Sequence, residues 1–129
     1  MINREIATHA LVTDWSKVPS VQTAAGIERQ MVVGEKVMVC RFTFQPFVVT
    51  DVHSHPHEQI TLVAAGKVEF TVNGDTVIAN AGDVLYFPSN HRHGATMLDE
   101  KVVLIDIFSP VCEDFLNGKS GYPADHSKA

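Results

Sequence analysis

His53-Ser54-His55-Pro56-His57-Glu58-Gln59 gathers three imidazoles within seven residues, and the rest of the chain reads as scaffold around it. On an extended backbone, side chains two apart face the same way, roughly 6.5–7 Å apart, so His53 and His55 can converge on one point. Pro56 cannot donate a ladder hydrogen bond and drives its predecessor toward extended conformations. Pro56-His57-Glu58 therefore reads as a turn between strands, with His57 turned toward solvent. Gln59 then opens the returning strand, and since neighbouring residues face opposite ways only one of Glu58 and Gln59 can join the histidines.

Working outward, period-two patterns dominate. Residues 28–33 and 36–44 are rich in β-branched and aromatic side chains and flank Gly34-Glu35, which predicts a hairpin. In the second run both faces are largely apolar: Met38, Cys40, Phe42 and Phe44 on one, Val37, Val39, Arg41 and Thr43 on the other. Further strands are expected over 47–53, 59–64, 67–72, 75–79, 84–87, 94–98 and 101–108. Asn73-Gly74 suits a type I′ turn because both residues accept positive φ. Pro88 ends the strand before it, and only 113–117 has a helical pattern. Eight or more short strands with frequent turn signals predict an all-β fold, a closed antiparallel barrel or jelly roll with a short C-terminal helix.

With 129 residues and 45% hydrophobic content, the chain suits one domain. It is read as a turn-rich N-terminal arm (1–26), a β-barrel core (27–109) and a C-terminal tail (110–129). The net charge of -5 and the lack of a basic cluster exclude a nucleic-acid footprint. No basic start with a long apolar run marks a signal peptide, no stretch approaches a membrane span, and a cytoplasmic protein is expected. Cys40 and Cys112 lack the spacing of a disulfide or zinc framework and read as reduced thiols.

Five of the seven histidines lie between positions 53 and 93, leaving His9 and His126 as bystanders. His91-Arg92-His93 follows the Pro88 turn, and one of its imidazoles can reach the first cluster when the sheets close. The spacing here resembles the two motifs of the cupin superfamily. The first is His-x-His, three residues, a ligand, six residues and glycine, matched by His53, His55, Gln59 and Gly66. The second is glycine, five residues, proline and a histidine five positions on, matched by Gly82, Pro88 and His93. The resemblance selects Gln59 over Glu58 and His93 over His91, and implies a double-stranded β-helix holding one divalent metal on His53, His55, Gln59 and His93. Nickel, zinc, iron, manganese and cobalt all suit such nitrogen and oxygen ligands. Phe47 and Asn90 stand where the motifs carry glycine, and Met97 replaces a frequent asparagine.

The last strand adds a second clue. Asp106 interrupts the apolar run 102–108 on the face of Leu104 and Phe108, so it is hydrogen-bonded to a strand end, pairs with a cation, Arg41 being the candidate, or serves as a general acid or base. Asp106-Ile107-Phe108-Ser109-Pro110, Glu113-Asp114-Phe115-Leu116 and the histidine stretch resemble the KdgF-type cupins of pectin and alginate catabolism, which turn ring-form unsaturated uronates into linear keto acids. The resemblance places Asp106 and Phe108 in the active site. It also puts Cys112 where that family has a carboxylate-binding arginine, which leaves Arg41, Arg29, Arg92 or the metal to bind an acidic substrate.

These readings imply a metal-dependent isomerase or lyase acting on a small acidic sugar or keto acid, most simply by opening an unsaturated uronate ring. A metal-dependent dioxygenase and a non-catalytic sugar- or metal-binding cupin are the alternatives. Small cupins are commonly homodimers, and the two apolar faces of 36–44 suggest a surface covered by a second copy.

Overall fold

A computed structural model describes residues 9–116; the first eight residues, Asn117, the rest of the tail and His126 lie outside the described residues. Nine strands form two sheets: β1 (Val21–Ala24), β2 (Ile27–Val33), β3 (Met38–Phe44), β4 (Glu58–Ala65), β5 (Lys67–Val72), β6 (Asp75–Asn80), β7 (Val84–Phe87), β8 (His93–Met97) and β9 (Val102–Ser109). A short helix, α1 (Glu113–Leu116), follows. The larger sheet runs β1-β2-β3-β9-β4-β7 and the smaller β6-β5-β8, every pairing antiparallel. This is the expected all-β jelly roll.

Strand alternation decides what lies between the sheets. Phe42, Phe44, Phe87 and Leu104 from the larger sheet meet Val68, Phe70 and Met97 from the smaller, and α1 adds Phe115 and Leu116. Each large apolar side chain so enclosed contributes about 1.5–3 kcal/mol relative to its exposure. The outer face of β3 is half-covered by the N-terminal arm, where Gln30 Nε2 donates to the carbonyls of Trp15 (2.7 Å) and Val18 (3.0 Å).

Register across the larger sheet sets the depth of every inward side chain. Val33, Met38, Phe108, Gln59 and Phe87 form one row; Met31, Cys40, Asp106 and Thr61 form the next; Arg29, Phe42, Leu104 and Val63 form the third. Residues side by side in a row share a face, so Gln59 and Asp106 belong to one interior.

Two expectations are corrected. Residues 47–53 form no continuous strand: Phe47 takes φ +68°, and the segment touches β8 through the bridges Val49 to Thr96 and His53 to His93. Left-handed backbone at Phe47 breaks the pleat that would let each residue pair in turn. The sheet also begins inside the supposed arm, because Val21–Ala24 pairs with β2. The motif departures explain themselves: Phe47 and Asn90 (φ +65°) are both left-handed, the conformation glycine adopts without a Cβ penalty. Gly66 has no such latitude, since a Cβ there would lie 2.4 Å from the Lys101 carbonyl oxygen.

Candidate metal centre

His53 and His93 are paired by reciprocal backbone hydrogen bonds of 2.9 and 2.8 Å, which set their imidazoles side by side, 4.7 Å between ring centroids. His55, two residues along, brings its ring 5.6 Å from His53 and 5.0 Å from His93. One ring nitrogen from each of the three lies within 4.8 Å of the others, a spacing that a single ion can bridge.

The backbone fixes which nitrogen faces the cluster. His53 Nδ1 lies 3.0 Å from the Asp51 carbonyl, His55 Nδ1 3.1 Å from that of His57, and His93 Nδ1 2.9 Å from that of His91. A carbonyl only accepts, so each Nδ1 carries a proton, and a ring in its neutral form has its lone pair on Nε2. His93 Nε2 is buried with no hydrogen-bond partner, and its ring is stacked on Phe87 at 4.5 Å. His57 and His91 stand outside the cluster; they serve it through their carbonyls, and the His57 ring packs 5.3 Å from that of His55 rather than standing clear in solvent.

Burial favours the neutral form of His53 and His93. It pushes His53 down to about 4, aided by His55 and Arg92. It pushes His93 down to about 4 as well, against the bond to His91 and with the help of His53 and His55. His57 is also lowered, first by burial and then by His55, with Asp114 opposing.

Gln59 supplies the fourth candidate ligand. It is 2% exposed, and its Oε1 lies 3.1 Å from His55 Nε2. Two lone pairs at that separation repel in a neutral pair and are reconciled by a shared cation, so the donor set fits a divalent ion. Glu58 points the other way, accepting a 2.5 Å hydrogen bond from the Tyr86 hydroxyl. Behind Gln59, its Nε2 donates to Thr61 Oγ1 (2.8 Å), and Thr61 Oγ1 donates to Asp106 Oδ1 (2.7 Å). Asp106 is fully enclosed, and Phe108 sets its ring edge-on to His55 at 5.8 Å.

The structure separates Arg41 from this group. It pairs with Ile105 rather than Asp106, faces the outer side of the sheet and donates to Gln30 Oε1 at 3.1 Å. The arginine buried on the inner face is Arg29, 1% exposed and 5.0 Å from the centroid of Phe115. It interrupts the stripe of Ile27, Met31 and Val33, a signal as legible as the one at Arg41. Thr61 was missed because a lone threonine in a strand is ordinary, although it shares Gln59's face. Cys112 is half-buried, and burial above all raises its thiol's pKa.

Comparison with known proteins identifies the family and the fold. The cupin domain family profile matches residues 40–108. The pectin degradation protein KdgF of Dickeya dadantii is 36% identical over 103 residues, covering 78% of this chain and 93% of the relative. Among solved structures, an RmlC-like cupin from Shewanella frigidimarina superposes with a TM-score of 0.77 at 29% identity, covering 83% of this chain and 96% of that one. KdgF from Halomonas sp. superposes with a TM-score of 0.77 at 27% identity, covering 84% and 99%.

Proposed function

The chain belongs to the cupin family, alongside its KdgF-type members, and we propose that it is a metal-dependent isomerase opening the ring of an unsaturated uronate. The observation that carries the reading is the set of three imidazoles with Nδ1 tied to carbonyls and Nε2 turned to one point beside Gln59 Oε1. A divalent ion held by His53, His55, Gln59 and His93 would supply Lewis acidity toward a substrate oxygen, its charge undiminished by four neutral ligands.

The protein's own groups handle the protons. In the isomerisation the bond from the anomeric carbon to the ring oxygen breaks, and the anomeric hydroxyl loses a proton to become an aldehyde. The ring oxygen leaves with the bonding pair as an enolate, which gains a proton on carbon and becomes the ketone. One carboxylate that accepts the first proton and returns the second suffices, and no electron acceptor is needed. Asp106 takes that role, one row behind Gln59 and Phe108, while Phe108 excludes water and packs against the substrate. Of the arginines, Arg92 is exposed between two histidines and near enough to His53 to depress its pKa, so it is assigned the substrate carboxylate. Arg41 faces away and Arg29 is enclosed beneath Phe115.

The assembly proposed is a cytoplasmic homodimer. Ile60, Tyr86 and Val84 on the outer face of the larger sheet are 40%, 54% and 64% exposed, an apolar stripe that a second copy would cover. No helix among the described residues is long and apolar enough to cross a membrane.

The test is direct. Metal-reconstituted protein is incubated with 4,5-unsaturated galacturonate or mannuronate, and loss of the double bond's ultraviolet absorbance is followed. Wild type should accelerate the loss, while His53→Ala and Asp106→Ala should not. Wild type with metal bound and no acceleration would sink the assignment.

A further inference from the structure

A glutamine ligand poses a problem that a glutamate does not. Its amide has two ends of nearly equal shape, one an acceptor and one a donor, and only the carbonyl oxygen can bind a cation. Something must decide which end faces the imidazoles.

The groups behind Gln59 make that choice. A threonine hydroxyl has one proton to give, and Thr61, fully buried on the same face of β4, stands 2.7 Å from Asp106 Oδ1 and 2.8 Å from Gln59 Nε2. With its proton committed to the carboxylate, the hydroxyl offers Gln59 only lone pairs, and only the NH2 end can meet them. Oε1 is then left toward His55, 3.1 Å away. The reversed amide would set oxygen against oxygen at Thr61, a costly contact in a buried site, and the hydrogen bond its NH2 could then donate to His55 Nε2 would leave no carbonyl oxygen facing the imidazoles.

We propose that Thr61 is a positioning residue of this centre: its hydroxyl, aimed by Asp106, holds the Gln59 amide with the carbonyl oxygen toward His53, His55 and His93. The carboxylate on β9 thereby sets the ligand face of a residue on β4 without touching the ion. The effect on affinity rests on the metal reading above; the orientation of the amide does not.

The test separates the two. In metal-free protein, the Gln59 side-chain amide is observed by 15N-resolved NMR and assigned by its absence in Gln59→Glu. Thr61→Val, which keeps the side chain's shape, should shift the pair and speed its exchange with water at least about tenfold, while Thr61→Ser should restore both. In the second arm, cobalt(II) uptake is followed by visible absorption and by chelator competition. Loss of an outer partner typically weakens metal affinity about 10–100-fold, which is expected for Thr61→Val and not for Thr61→Ser. Thr61→Ala serves if the valine variant does not fold.

An unchanged Gln59 amide pair in a folded Thr61→Val, or equal cobalt affinity in that variant and wild type, overturns the proposal. An amide pair that responds to Thr61→Val in a protein taking up no cobalt upholds the positioning role and removes the metal reading.

Discussion

Metal-free protein should lose stability as the pH falls from about 6.5 to about 4, and His53 and His93 should account for most of the loss in the upper part of that window. Both imidazoles drop from 6.5 to about 4 on folding, chiefly through burial. Their folded pKa values lie below their unfolded ones, so as the pH falls the unfolded chain takes up protons first and unfolding is favoured. Above about pH 6.5 neither state is protonated and the two rings contribute no pH dependence. At pH 5 an unfolded histidine is almost fully charged while these two remain neutral. The difference is worth about 2 kcal/mol for each ring and about 4 for both.

Many domains have only about 5–15 kcal/mol of stability, so such a loss is large. Urea denaturation of chelator-treated protein at pH 7.5, 6 and 5 measures it. Carboxylates also titrate near the lower limit, so the informative quantity is the difference between wild type and His93→Gln, whose side chain does not titrate. The pH 7.5-to-5 loss should shrink by about 2 kcal/mol in the variant. If wild type and variant lose stability in parallel, His93 is not held neutral by burial, and the account of the site's electrostatics fails.

Phe47 is 71% exposed at φ +68°, so Phe47→Gly relieves a left-handed strain of about 1–2 kcal/mol while adding roughly 0.5–1 kcal/mol of chain entropy to the unfolded state. A net gain of up to about 1.5 kcal/mol in unfolding free energy is expected from denaturation, and a loss would contradict it. Gly66→Ala should cost about 2–4 kcal/mol, because the new Cβ meets the Lys101 carbonyl at 2.4 Å in a backbone at φ +87°; a melting temperature equal to wild type would refute this. Cys112→Arg should improve kcat/KM for an unsaturated uronate about tenfold, the worth of one charged hydrogen bond to a carboxylate. An unchanged value would mean that the carboxylate is already fully served elsewhere.

The strands were legible where one face is buried and the other wet, because burial forces period-two alternation. Residues 67–72 were delimited correctly, with Val68 and Phe70 buried and Lys67 exposed, and Asn73-Gly74 turns the chain with φ of +50° and +90° as its composition requires. Residues 47–53 misled for the same reason in reverse. Val48, Val49 and Val52 have strand propensity, yet the left-handed turn at Phe47 and the isolated bridges to β8 come from tertiary geometry, which propensity does not encode. Val21–Ala24 was passed over because an edge strand with no buried residue carries no clear alternation to read.

The candidate ligands were legible, and the groups that aim them were not. His53 and His55 are singled out by residue type and spacing, and Gln59 and His93 by the resemblance to the two cupin motifs. The acceptors that fix the three tautomers are main-chain carbonyls of Asp51, His57 and His91, each two residues from the ring it serves, and a backbone atom leaves no signature in side-chain identity. The arginines follow the same logic. Arg41 and Arg29 each interrupt an apolar strand, and only pairing register tells inside from outside. Arg29 lies beside Phe42, an inward residue, and Arg41 beside Ile105, an outward one. A one-residue slip of β2 and β3 against β9 would exchange the two faces and put Arg41 beside Asp106. What holds the register is the apolar content of the inner face: slipping would expose Phe42, Phe44 and Cys40 together, and three half-covered residues would have to replace them in the core. The placement of the charge thus follows from the aromatic residues flanking it, whose burial outweighs the cost of enclosing one guanidinium over the Phe115 ring.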